Sequence, residues 1–93
     1  MMRFAAALAE ARRKHNLSQR EVGERSGLDR SYISRLEWGD REPSRETVRA
    51  LARAFGDQAT ADALYIAAGM IPDRIMEAIA AGEIAPERVL VAA

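Results

Sequence analysis

Apolar residues recur along this chain at the three- and four-residue spacing of helices that bury one face. Phe4, Leu8 and Ala11 form such a stripe and predict a first helix over residues 3–15. Similar stripes follow towards the C-terminus. The pattern therefore predicts an all-α fold, in which a five-helix domain is followed by an extra C-terminal helix and a short tail.

Residues 19–38 predict two short helices joined by a tight turn. Ser18 is a suitable N-cap, and Glu21 stands three residues later, which is the spacing of a capping box. Gly27 falls where the first of these helices should end in the left-handed conformation. Asp29 offers an N-cap for the second helix, which is predicted to reach residue 36 or 37.

The second helix of this pair, residues 29–37, is expected to pack across the first. Gly23 lies at the expected crossing, where a larger side chain would force the helices apart. Turn glycine, small residue and apolar positions together describe a helix-turn-helix, and a plain helical hairpin in another all-α domain is the alternative. Ser26 is the one departure, since its position is often apolar. The apolar residues expected between the two helices are Val22, Leu28, Ile33 and Leu36.

A fourth helix is predicted between Ser44, as its N-cap, and Gly56, as its end. A fifth is expected to begin with Thr60 as its cap and to end at Gly69. Its inner face should carry Leu64, Tyr65 and Ala68, with Ile66 as an alternative member. The fourth helix should bury one continuous set of residues, namely Thr47, Val48, Leu51, Ala52 and Phe55.

The C-terminal segment carries more apolar surface than a closed five-helix core requires. Pro72 suits the first turn of a sixth helix that Gly82 ends. Residues 84–93 fit either a short helix or an extended strand. Residues 1–69 are therefore predicted to form the main domain and residues 70–93 a dimerisation element, because closed two-fold assemblies are the commonest oligomers. The residues expected to take part are Ile71, Ile75, Met76, Ile79, Val89 and Leu90. A tail that folds back on its own subunit is the alternative.

Charge is divided unevenly along a chain whose formal net charge is zero. Residues 1–53 hold 12 of the 14 basic and 8 of the 14 acidic residues, a balance of +4. Residues 54–93 hold the other 2 basic and 6 acidic residues, a balance of −4. Such asymmetry favours a cationic surface for a polyanion and an acidic portion with another role.

Composition argues against several classes of function. The chain has no cysteine, so disulfides, thiol nucleophiles and zinc-thiolate sites are excluded. It shows no glycine-rich phosphate loop and no cluster of metal ligands, and we expect neither an enzyme nor a bound cofactor. Glu10 ends the N-terminal apolar run too early for a signal peptide, and a cytoplasmic location is expected. The lone His15 is expected to be a solvated surface residue.

The residues of the motif resemble the Cro/C1-type (Xre) helix-turn-helix family of phage and bacterial repressors. The resemblance covers roughly residues 4–56, with a weaker echo at residues 67–72. It rests on Leu17-Ser18-Gln19, Ser31-Tyr32-Ile33-Ser34-Arg35-Leu36-Glu37, Gly39 and Arg41-Glu42-Pro43-Ser44. The resemblance implies a repressor-like domain whose second motif helix enters the major groove of double-stranded DNA.

Candidate DNA contacts follow from this resemblance and from side-chain chemistry. Arg30 and Arg35 can each make the bidentate contact to guanine O6 and N7. Gln19 matches the family's phosphate-binding glutamine at a helix N-terminus, a position that favours anions. All expected base contacts are Arg30, Ser31, Tyr32, Ser34 and Arg35, and the expected phosphate contacts are Gln19, Arg20, Arg41 and Arg45. Tyr32 packing on the domain and Ser34 facing inward are the structural alternatives.

An ion pair and a tryptophan near the motif are also expected to have defined roles. In the family resembled, an arginine at the position of Arg12 pairs with a glutamate at the position of Glu37, so we expect this ion pair here. Trp38 lies beside the following loop, where it either covers the edge of the domain, the role we favour, or packs against a DNA sugar.

The sequence therefore predicts a sequence-specific transcriptional regulator, most simply a dimeric repressor reading a palindromic operator. The alternatives are a protein-interaction module that kept the fold and an antitoxin whose acidic C-terminal half binds a protein partner.

Overall fold

The computed structural model describes the backbone of residues 3–92 and the side chains of residues 3–89. The described backbone forms seven helices and no strand, which confirms the predicted all-α class. Within the C-terminal segment whose conformation the sequence left open, residues 86–92 form a helix. The helices are α1 (Phe4–Lys14), α2 (Gln19–Ser26), α3 (Arg30–Trp38), α4 (Arg45–Phe55), α5 (Gln58–Ala67), α6 (Asp73–Ala80) and α7 (Pro86–Ala92).

The boundaries of α2 follow the predicted local signals. The Ser18 hydroxyl accepts from the Glu21 backbone N–H, and the Glu21 carboxylate accepts from the Ser18 backbone N–H, both at 3.0 Å. Gly27 ends the helix with φ of 75°, in the left-handed region that favours glycine. Asp29 occupies the N-cap position of α3 as predicted, but its side chain makes no capping hydrogen bond.

The crossing of α2 and α3 depends on Gly23. A Cβ atom at this position would lie 2.8 Å from the backbone carbonyl oxygen of Leu28, closer than real Cβ contacts allow. Because that neighbour is backbone, it cannot move aside without shifting the turn. The close approach of the two helices is therefore available only to glycine, as the sequence predicted.

Helix α5 begins earlier than predicted. Its N-cap is Asp57, whose carboxylate accepts from the Thr60 backbone N–H at 3.0 Å, while Thr60 itself is buried in the first turn. Asp57 and Thr60 are both good N-caps. The His15 ring lies 2.8 Å from the Asp57 carboxylate. This contact holds Asp57 in place and favours it over Thr60 as the N-cap.

The core is closed by α1 to α5 with Leu17 from the α1–α2 turn. Every α4 residue predicted to face inward is buried, as are Leu64 and Tyr65 of α5, and α6 contributes no buried residue. The fully buried large side chains are Leu8, Val22, Ile33, Leu36, Val48, Leu51 and Leu64.

Helix α6 is attached to this core by polar contacts. The Asp73 carboxylate accepts from the guanidinium groups of Arg45 and Arg49, and Arg45 also donates to the backbone oxygen of Ile71 at 2.9 Å. The hydrogen bonds from the two arginines hold the pKa of Asp73 well below its usual range. The next residue of α6, Arg74, pairs with Asp62 of α5 at 2.7 Å. None of the helices described is long and apolar enough to cross a membrane.

Candidate nucleic-acid interface

Helix α3 has one buried face and one polar face, and the two are nearly opposite. Ile33 and Leu36 are fully buried. At about 100° per residue, the opposite face carries Ser31, Ser34 and Arg35. Arg30 and Ser31, on the leading turn, are exposed, as is Arg35, whereas Ser34 is half-buried. The structure thus gathers four of the five predicted base-contacting residues on the accessible side of α3.

Tyr32 packs on the domain itself, whereas the sequence predicted that it would contact a base. Its ring is half-buried and packs against the core, and its hydroxyl lies 3.1 Å from the hydroxyl of Thr47 on α4. Thr47 is itself joined to the α4 cap Ser44. Tyr32 therefore helps to fix α3 against the start of α4, which is the packing alternative that the sequence left open.

The predicted pair of Arg12 and Glu37 is present and joins α1 to α3. The Arg12 guanidinium donates to both Glu37 carboxylate oxygens, at 2.7 and 3.0 Å, and to the backbone oxygen of Leu17 at 3.2 Å. The side chains are 20% and 9% exposed, respectively. The hydrogen bonds to Glu37 raise the pKa of Arg12.

The same carboxylate orients the first residue of α2. The side-chain nitrogen of Gln19 donates to Glu37 at 3.3 Å, so a single half-buried group connects α1, α3 and the N-terminus of α2. This network places Gln19 beside the exposed amides of the α2 N-terminus, a combination that suits an anion.

The other predicted phosphate contacts do not share one environment. Arg20 is exposed and pairs with Glu24 one turn along α2, at 3.2 Å. Arg41 is exposed in the loop before α4. Arg45 differs from the prediction, because its guanidinium lies over the Tyr65 ring and binds Asp73 and the α5–α6 segment. Its Nη1 nitrogen is therefore used to hold α6.

The residues predicted for dimerisation are divided between two surfaces. Met76 is 46% exposed and lines a different hollow, beside Arg49 and Arg53, and Ile79 is half-exposed. The side chain of Leu90 lies outside the described residues. An apolar groove between α5, α6 and α7, which we call the C-terminal groove, is lined by Ile66, Met70, Ile71, Ile75, Ile84 and Val89.

Two features were missed or misjudged from the sequence. His15 is not a simple surface residue: its ring packs on Phe55, and its nitrogens lie 2.9 Å from the Ala11 carbonyl oxygen and 2.8 Å from Asp57. Trp38 does not cover the edge of the domain, because it is 84% exposed. The contacts of His15 could be found only from the tertiary structure. The exposure of Trp38 does have a signal in the sequence, because Trp38 lies five residues after Ile33 and therefore off the buried stripe of α3. Within the described residues, no group of acidic or histidine side chains is arranged to hold a metal ion.

Comparison with known proteins gives a consistent family. The model of the family described as Helix-turn-helix matches residues 8–56, about half of the chain. Over 56 residues, 60% of this chain, it is 36% identical to the uncharacterized HTH-type transcriptional regulator Rv0474 of Mycobacterium tuberculosis. Over 48 residues, 52% of this chain, it is 46% identical to the uncharacterized HTH-type transcriptional regulator y4dJ of Sinorhizobium fredii.

These matches cover only part of each relative, 39% of the Mycobacterium protein and 62% of the Sinorhizobium protein. No solved structure gives a significant match. The matched region of this chain contains the capping box, the glycine crossing and the polar face of α3. The chain therefore belongs to the Cro/C1-type helix-turn-helix family of DNA-binding regulators.

Proposed function

We propose that this protein is a transcriptional repressor that reads a two-fold symmetric operator with the exposed face of α3. The observation that carries the proposal is the opposition of the two faces of this helix. Ile33 and Leu36 fix it in the core, while Arg30, Ser31 and Arg35 stand exposed for base edges. Occupancy of a promoter by such a protein blocks transcription without any chemistry on a substrate.

The base contacts follow from side-chain chemistry. Arg30 and Arg35 suit guanine O6 and N7, and Ser31 can donate to or accept from any base edge. Gln19, oriented by Glu37 at the start of α2, is the proposed phosphate anchor that fixes the register of α3 in the groove. Arg20 and Arg41 add cationic phosphate contacts. Arg45 is left out, because Asp73 already binds it.

The C-terminal groove is the proposed dimer contact. Its apolar lining has no covering residues from the rest of the described chain, and its mouth carries the charged residues Asp62, Arg74 and Arg88. A second copy of the chain would cover this surface about a two-fold axis and place two α3 helices on one operator. Half-sites about 10 base pairs apart are then expected.

In vitro selection from a random duplex pool at near-physiological salt tests the proposal as a whole. Enrichment of a two-fold symmetric site is the expected result. Enrichment of a single half-site would support the DNA-reading part of the proposal and contradict the dimer. If the folded protein enriches no sequence, the operator-reading proposal fails, and a protein-interaction module becomes the better reading of the fold.

Substitution of Arg35 tests the recognition face. We expect Arg35→Ala to weaken operator binding by about 1–3 kcal/mol and to relax preference at one base pair. Arg53→Ala removes the same charge from the last turn of α4, on the side of α6, and is the matched control. Equal effects of the two substitutions, with base preference unchanged, would show that the assigned face is wrong.

Neighbouring residues of α6 provide a test of the dimer contact. Ile75 lines the C-terminal groove, whereas Met76 faces the other hollow. Sedimentation is expected to show a dimer for the wild type and for Met76→Asp, and a monomer for Ile75→Asp. A dimer that withstands Ile75→Asp would place the contact elsewhere.

A further inference from the structure

Trp38 is the most exposed large apolar side chain that the structure describes, and it lies in the last turn of α3. It is 84% exposed, compared with 55% for Ile66 and 46% for Met76. Exposure of a whole indole gains nothing for folding, since the hydrophobic effect favours its burial. The side chain is therefore available for a contact outside the folded chain.

Helical geometry places Trp38 on the same line as the proposed base-reading residues. Seven residues separate it from Ser31, which is close to two full turns, so the two side chains project from nearly the same side of α3. Ser34 and Arg35 lie between them on either side of this line. Trp38 thus extends the polar face of α3 towards its C-terminus, directly opposite Ile33 and Leu36.

The distance along the helix decides what Trp38 can reach. Its Cα lies about 10 Å along the axis from that of Ser31. A recognition helix reads bases mainly with its N-terminal residues, in a groove about 12 Å wide. A side chain two turns further along is therefore carried out of the base-edge region and towards the sugar–phosphate wall.

The indole group of Trp38 has the chemistry to contact the sugar–phosphate backbone. Its flat apolar face can pack on the C–H groups of a deoxyribose, and its ring N–H is a donor that a phosphate oxygen can accept. The exposed Arg41, three residues further along, supplies a cation nearby, but Asp40 and Glu42 give the loop of residues 39–44 a net charge of −1. An attraction at this point would therefore depend on packing and one hydrogen bond more than on net charge.

We propose that Trp38 packs against the DNA sugar–phosphate backbone at the C-terminal end of α3 and donates its indole N–H to a phosphate. The inference rests on the proposed DNA-reading function. It develops the DNA-sugar alternative that the sequence left open for Trp38 and adds a hydrogen bond to a phosphate. Its role is to fix how far α3 lies along the groove, and it makes no base-specific contact.

The fluorescence of the chain gives a direct test, because Trp38 is its only tryptophan. A dye-labelled duplex carrying the selected operator reports binding by anisotropy, independently of the indole. Acrylamide, a neutral quencher that leaves ionic strength unchanged, reports the accessibility of Trp38. We expect quenching to fall by at least about twofold when the duplex is bound, since the wall covers one face of the ring.

Substitutions separate this contact from an ionic one. We expect Trp38→Ala to weaken operator binding about five- to tenfold, with the slope of log affinity against log salt unchanged, because no charge is lost. Trp38→Phe should recover part of the affinity through ring packing. Arg41→Ala is the comparison, since loss of a phosphate-binding cation lowers that slope by about one. Circular dichroism verifies that each variant is folded.

Each contrary outcome has a distinct meaning. If the wild type binds the duplex while quenching and the affinity of Trp38→Ala are both unchanged, this inference is wrong and the proposed function stands. If Trp38→Ala instead abolishes self-association in sedimentation, the indole belongs to a protein contact and the inference is again wrong. If no duplex binds to the wild type, the proposed function and this inference fail together.

Discussion

The body formed by α1 to α5 and the C-terminal arm formed by α6 and α7 are stabilised in different ways. The body encloses fourteen buried apolar residues in one cluster. The arm has no buried residue in α6, and ion pairs to Arg45, Arg49 and Asp62 join it to the body. Burial of apolar surface is strong and cooperative, whereas ion pairs that stay partly exposed to solvent contribute little each.

This difference shows how the two regions divide their roles. The body fixes α3 rigidly enough to present Arg30, Ser31 and Arg35 at defined positions. The arm keeps Ile71, Ile75 and Val89 at a groove surface instead of using them to complete the core. A region held by a few polar contacts can adjust when a partner covers its apolar face. In the proposed function, stability and assembly are thus carried by separate parts of one short chain.

Core truncation should give the largest contrast between the two regions. We expect Leu36→Ala to lower the free energy of unfolding by about 2–5 kcal/mol, because it opens a cavity beneath α3. Ile79→Ala in the half-exposed α6 should lower it by less than about 1 kcal/mol, since little apolar area is lost. Urea denaturation of both variants measures the difference, and equal losses would contradict the division described here.

The Arg12–Glu37 pair should come next in size. We expect Glu37→Ala to lower the free energy of unfolding by about 2–3 kcal/mol, because it leaves the partly buried Arg12 without its partner. This value lies between the losses typical of exposed and of buried ion pairs. It should also weaken operator binding by releasing Gln19. Arg20→Ala breaks an exposed pair on the same surface and is the control, for which thermal denaturation should show almost no change.

Removal of the charge on Asp73 should loosen the arm and leave the body intact. We expect Asp73→Asn to change global stability by about 1 kcal/mol or less, because its partners are partly solvated. Hydrogen exchange in α6 should become much faster while α3 is unaffected. Arg74→Gln, which breaks the other ion pair, is the matched comparison. Faster exchange throughout the body would instead mean that the arm is part of the same cooperative unit.

The smallest effect concerns acid at the α4–α5 junction. Hydrogen bonds from Thr60, with a smaller contribution from His15, lower the pKa of Asp57 to about 2. Since the unfolded value is near 3.9, the contribution of Asp57 to stability is complete above about pH 4 and is lost as the pH falls towards 2. NMR titration of its carboxyl carbon checks this, and His15→Ala should move the midpoint up only in part.

Sequence signals predict the structure correctly where the interactions behind them are local. The Ser18–Glu21 capping box, the αL conformation of Gly27, the end of α4 at Gly56 and the buried face of α4 depend on groups within a few residues of one another. The ion pair of Arg12 and Glu37 was anticipated only through the family resemblance. Nothing in the spacing alone brings together residues that lie 25 positions apart.

The contacts that the sequence did not predict have a common physical origin. Arg45 is as good a phosphate ligand as Arg41 by chemistry, and only the position of Asp73, 28 residues later, commits it to the arm. Tyr32 and Trp38 are both aromatic residues of α3, yet one packs beside Thr47 and the other is exposed. The two side chains project from different sides of α3, and the residues that cover the side of Tyr32 come from α4.

The sequence by itself determined the helices of the body, the turn between α2 and α3 and which side of α3 is apolar, because propensity, capping and periodicity act over a few residues. The tertiary structure alone decided where α5 begins, which arginines remain available and what the C-terminal apolar residues face. Those outcomes depend on groups from distant segments competing for the same hydrogen bonds and the same buried space.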